Sequence, residues 1–151
     1  MKTLKITLIL AIILSFQELA AQDSYYFSKT LKGTFEEITN ELKTELKEQG
    51  FGVITEIDMD SKIQEKLPEV VMNPYKILGI CNPAFAYETL QIENNIGVFL
   101  PCKAIIKDNK DGTIEVVIVN PSALMGMLNN PDLTSIADKV SIKFKTALDK
   151  L

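Results

Sequence analysis

Two stretches of the chain carry apolar residues at helical spacing, and most of what lies between them alternates as strands do. In the first, Phe35, Ile38, Leu42 and Leu46 share one face while Glu36, Lys43, Glu45, Lys47 and Glu48 take the other. Thr34 and Glu37 stand at capping-box spacing before this run, and Gly50 supplies the stop. In the second, Leu133, Ile136, Ala137, Val140, Phe144, Ala147, Leu148 and Leu151 form one continuous stripe after the Asn130-Pro131 start.

Strand patterns fall on Tyr25–Leu31, Gly52–Asp58, Tyr75–Cys81, Val98–Lys107 and Thr113–Val119, with Asp108 to Gly112 as the turn between the last two. Pro101 cannot donate a ladder hydrogen bond, so its strand is expected to carry an edge or a bulge there. Shorter helices are expected over Ser61–Leu67, ended by Pro68, and over Pro83–Glu93, with Phe85, Ala86 and Leu90 inward. A further turn or short helix runs from Asn120-Pro121 to Leu128. The order is strand, helix, four mostly antiparallel strands with helical inserts, and a long closing helix. Antiparallel strands with helices gathered on one face make a two-layer α+β domain. Leu42, Ile77 and Phe144 are expected in its core.

Residues 1–21 change the picture of where this domain works. Met1-Lys-Thr-Leu-Lys5 is basic and leads into Ile6–Leu14, an apolar run too short to span a bilayer, with Ala20 and Ala21 as a small-residue cleavage site. This reads as a signal peptide, leaving residues 22–151 as a single domain that is periplasmic or secreted, with no membrane span. Charge narrows the partners: 16 Lys+Arg stand against 20 Asp+Glu, for a net charge of −4, and every basic residue is lysine. An acidic chain without arginine lacks the planar fork that grips phosphate and guanine edges, which speaks against nucleic acid. The absence of histidine removes Ser-His-Asp and Cys-His catalysis and the His-Glu-x-x-His zinc site.

What chemistry is left centres on Cys81 and Cys102, each placed where an apolar run meets a proline-marked break. If their strands pair antiparallel, both arrive at one end of the sheet. The pair then reads as a disulfide, as two buried thiols filling core space, or as a redox or metal site. Met125 and Met127 have the short spacing of Cu(I) ligands, although methionines beside Leu124 and Leu128 are more simply gap-filling core. Tyr75 and Tyr87 bracket Cys81 and, with Pro101, are candidates for a pocket lining; partly buried core aromatics are the plainer alternative. The adjacent Glu36 and Glu37, and Asp58 and Asp60, are most simply caps or solvated faces. The acidic turn at Asp108–Gly112 lacks ligands at the first and closing positions of a calcium loop.

Three segments together resemble the domain-of-unknown-function 302 family: Gly50-Phe-Gly-Val-Ile-Thr-Glu-Ile-Asp58, Tyr75-Lys-Ile-Leu-Gly-Ile-Cys-Asn-Pro83 with Ala86, and Leu100-Pro-Cys102. The resemblance runs from about Phe27 to the C-terminus, and both cysteines and Pro121 occupy positions of the family motif. It implies a sheet of the TATA-binding-protein-like type and brings no established activity. The expectation is therefore an exported, non-catalytic binding or accessory domain without a cofactor, taking an unknown small ligand or protein. A ligand or a second copy, making a homodimer, would dock at a sheet edge or in an apolar groove beside the closing helix. The alternative is a thiol redox or copper-handling protein using Cys81 and Cys102.

Overall fold

A capping box fixes where the first helix begins. The Thr34 hydroxyl oxygen accepts from the Glu37 backbone N–H at 3.2 Å, and the Glu37 carboxylate accepts from the Thr34 backbone N–H at 3.0 Å. The carboxylate also accepts from the Thr34 hydroxyl at 2.8 Å, and the backbone and hydroxyl donors of Thr34 together favour its charged form and hold Glu37 below its ordinary range. Helix α1 then runs over Phe35–Glu48 and buries Ile38, Leu42 and Leu46. Gly50, with φ of 84°, takes the left-handed turn that lets the chain reverse into the next strand.

The computed structural model describes residues 25–151. The signal peptide expected over residues 1–21 lies outside the described residues. The strands are β1 (Tyr26–Lys32), β2 (Gly52–Asp58), β3 (Tyr75–Cys81), β4 (Cys102–Asp108) and β5 (Thr113–Val119). They form one five-stranded sheet in the order β1-β5-β4-β3-β2, with every neighbouring pair antiparallel. Between them come α2 (Met59–Gln64), α3 (Pro83–Ile92), a 3₁₀ turn over Asn94–Phe99 and α4 (Pro121–Gly126), and the chain closes with α5 (Pro131–Lys150). The two-layer α+β architecture and the element order expected from the sequence are those observed.

Register decides which residues meet the helices. Phe27 and Ala104 both pair with Ile118, Ile106 pairs with Val116, and Leu78 pairs with Ala104. These alternate positions face α1 and α5 and, with Leu42, Leu46, Phe51 and Phe144, make the main core. A smaller cluster of Ile96, Met125, Leu133 and Ala137 sits under the 3₁₀ turn. Hydrogen bonds tie α4 to α5: the Ser122 hydroxyl donates to Ser141 Oγ at 2.8 Å, and the Ser141 hydroxyl donates to Asn120 Oδ1 at 2.9 Å. Both Asn120 and Ser141 are buried, so this chain of partners satisfies groups that would otherwise be costly to bury.

Four expectations are corrected. Val98 does not begin a strand: Asn94–Phe99 winds as a 3₁₀ turn, with the Glu93 carboxylate accepting from Asn95 N–H at 2.9 Å, and Val98 is exposed. Because Pro101 stands just before the first ladder residue rather than inside the strand, β4 keeps all its donors and occupies the centre of the sheet instead of an edge. Ile77 pairs with Ile57 and Ile105 on the face turned away from the helices and is half-buried, not core. The short helix expected from Ser61 starts earlier, at Met59.

Candidate functional site

Asn82 sets the geometry of the site. Its side-chain oxygen accepts from Ala84 and Phe85 N–H at 3.0 and 3.1 Å, which starts α3, while its amide donates to the Gly50 carbonyl at 2.8 Å. Proline at the first helical position completes the start. The helix is thereby swung across the end of β3 and β4, and a cavity of about 260 Å³ opens between it and the rest of the domain.

The sheet supplies Ile80, Cys102 and Val119 to this cavity, and α3 supplies Phe85, Ala86 and Thr89. Ile96 and Phe99 come from the 3₁₀ turn and Leu100 from just after it, Leu124 and Met125 from α4, and Leu133, Ile136, Ala137 and Val140 from α5. The space lies where the two apolar clusters meet. Among the described residues no carboxylate lines it. Its polar members, Asn82, Thr89 and Lys103, are engaged locally: Asn82 caps α3, Thr89 donates to the Phe85 carbonyl at 2.6 Å, and the Lys103 ammonium donates to the Pro101 carbonyl. A 150 Å³ apolar cavity is enough to take up benzene, so this volume suits a compact apolar molecule or part of one.

Cys81 and Cys102 both border the cavity, and both are free thiols. The disulfide considered from the sequence is therefore not formed. The strands do pair antiparallel as expected, but Cys102 stands opposite Ile80, whereas Cys81 stands opposite Gly52 on the other neighbouring strand. Adjacent residues of a strand turn to opposite faces, so this register does not aim the two side chains at each other. Burial pushes the Cys102 thiol up to about 11, with Cys81 adding to the rise and Lys103 opposing it. Burial also raises Cys81. Thiols held protonated in apolar surroundings are poor nucleophiles and poor metal ligands, which argues against the redox or copper alternative.

The other candidates scatter. Met125 is buried in the cavity wall while Met127 is two-thirds exposed, so the pair does not converge on one ion. Among the described residues no group of three or more Cys, Asp or Glu is placed to hold a metal. Tyr87 is exposed on the outer side of α3. Tyr75 lies on the opposite face of the sheet, in a shallow hollow shared with Tyr25, Tyr26, Ile105 and Val117. Pro101 packs over Gly79 on that same face. The two tyrosines are both near Cys81 in sequence, but strand alternation and the helical turn separate them. Missed altogether were Ile96 and Phe99, because a 3₁₀ turn carries no apolar period; the Asn94-Asn95 pair and Gly97 were the signal that the strand had not yet begun.

A two-layer α+β domain with a five-stranded antiparallel sheet and a half-open apolar pocket defines the class of molecule. The family model described as domain of unknown function DUF302 matches residues 27–151, and the chain belongs to that family. A solved structure described as an uncharacterized conserved protein DUF302 from Bacillus stearothermophilus is similar at 31% identity, over 83% of this chain and 97% of that one, with a TM-score of 0.78. No curated protein matches the chain. Among the described residues no helix is long and apolar enough to cross a membrane.

Proposed function

We propose that this chain is an exported, non-catalytic binding module whose ligand is a small apolar molecule held in the cavity between α3 and α5, on a sheet of the TATA-binding-protein-like type. The observation that carries this reading is the cavity of about 260 Å³, lined almost wholly by apolar side chains and free of carboxylates. A few engaged polar groups in a mostly apolar concavity are the usual make-up of a binding site. Catalysis finds little support there, since the bordering thiols are held protonated. Export is supported by the basic start, the apolar Ile6–Leu14 run and the Ala20-Ala21 pair. N-terminal sequencing of the exported protein should find a start between Ala20 and Asp23, and one that still begins at Met1 removes export from the reading.

Binding is tested by titrating the protein with naphthalene and following cavity-lining methyl resonances by NMR. Saturable shifts at Met125 and Ala137 are expected, and they should be lost in Ala86→Leu, which extends a partly exposed helix residue into the space. Ala86→Leu should keep the wild-type circular dichroism spectrum. A folded wild-type protein whose methyl signals do not move overturns the cavity as a binding site.

A further inference from the structure

The second face of the sheet carries its own signal. β5 reads Thr113-Ile-Glu-Val-Val-Ile-Val119, and β4 contains Ile105-Ile106. A sheet with one solvated face alternates apolar and polar residues, whereas near-continuous apolar strands are those covered on both sides. Here Ile106, Val116 and Ile118 face the helices, while Ile105 and Val117, directly opposite each other, face away and belong to neither apolar cluster. Ile77 stands next to Ile105 and Ile57 next to Ile77, which extends the apolar row across four strands.

We infer that this face packs against the same face of a second copy of the chain. Three observations favour a like partner. The outer strands carry Ser28 and Thr30 on β1 and Thr55 on β2 at positions paired with this face, so an apolar centre is rimmed by polar groups as interfaces are. The face carries both signs of charge, with Lys107 and Glu115 in an ion pair at 3.0 Å on neighbouring strands. A two-fold operation brings a cation and an anion from each copy to the same region, and an isologous contact needs that self-complementarity. The size clears the minimum: five strands about 4.8 Å apart, each of seven residues rising about 3.3 Å, cover roughly 550 Å² per copy, or about 1,100 Å² for two, just above the roughly 1,000 Å² that an interface must bury and at the small end of the specific ones. Sheets so packed lie about 10 Å apart with strands roughly 30° from parallel, and Tyr26 and Tyr75, which border the shallow hollow, would fill its ends.

Sedimentation velocity across a concentration series tests the interface. The wild-type protein should sediment with twice the chain mass at high concentration, and Val117→Lys should sediment as a monomer with an unchanged circular dichroism spectrum. Lys107→Glu should weaken the dimer, and Lys107→Glu combined with Glu115→Lys should restore it. A wild-type protein that is monomeric at every concentration overturns the inference and gives the face to some other occupant. A dimer unaffected by Val117→Lys overturns the assignment to this face.

Discussion

Gly79 gives the sharpest test of the packing. It sits in the middle of β3, paired with Thr55 and Lys103, on the face turned away from the helices. A Cβ built there would run into Thr55 Oγ1 and would lie 2.8 Å from Pro101 Cγ. Thr55 is on an exposed edge strand and can turn its hydroxyl aside, but the proline ring is closed and must move as a unit. Overpacking of this kind costs about 1–3 kcal/mol, while replacing a strand glycine returns about 0.5–1 kcal/mol through the unfolded chain. The clash wins: Gly79→Ala should destabilise by about 1–2 kcal/mol, lowering the melting temperature by roughly 4–8 °C. Gly97 is the matched control, since nothing lies within 4 Å of its added Cβ, and Gly97→Ala should be neutral or stabilising by up to about 1 kcal/mol. Thermal and urea melts of both variants, with Thr55→Ala/Gly79→Ala to recover part of the loss, make the measurement. If Gly79→Ala melts at or above wild type, the close approach of Thr55 and Pro101 is not what the geometry says.

Phe144 is fully buried against Phe51, with ring centroids 4.7 Å apart, so Phe144→Ala should cost about 3–5 kcal/mol, while Ile77→Ala, half-buried on the other face, should cost about 1–2 kcal/mol; equal losses in urea melts would contradict the face assignment. Cys102 titrates at about 11 in the folded chain against 9.0 for an ordinary cysteine, so the stability its burial contributes is fully present below pH 9.0 and is lost as pH rises towards 11. Cys102→Ala should flatten that part of the stability curve, and a difference between the two proteins that stays constant over this range would refute the assignment.

Most of the fold could be read from residues whose local and long-range preferences agree. Thr34 with Glu37, the Asn82-Pro83 and Asn130-Pro131 starts and the stripe on α5 each name their element because capping and burial act at the same place. Sequence periodicity was misleading where those signals parted. Val98 and Phe99 are β-formers by type, yet the chain there needs a turn to bring Ile96 under α3, and the ladder starts only after Pro101. Ile77 is large and apolar like its core neighbours Leu78 and Ile80, but one residue of alternation puts it on the far face. Cys102 shares the helix-facing side of β4 with Ala104 and Ile106, as strand alternation requires. Its relation to Cys81 depends on register with a different strand, and register across a long connection is not written in either segment alone.

The first strand of the sheet pairs with the last: Tyr26 stands opposite Val119, and Lys32 opposite Thr113. Among the described residues no nearer strand pairs with β1, and α5, which covers it, comes later still. During synthesis β1 therefore emerges long before its mate exists, and the domain cannot close from its head end. Contacts of such long sequence separation form slowly, because the loop between them must be gathered first. Until residues 113–150 have been made, β1 has neither its ladder partner nor the helix that covers it.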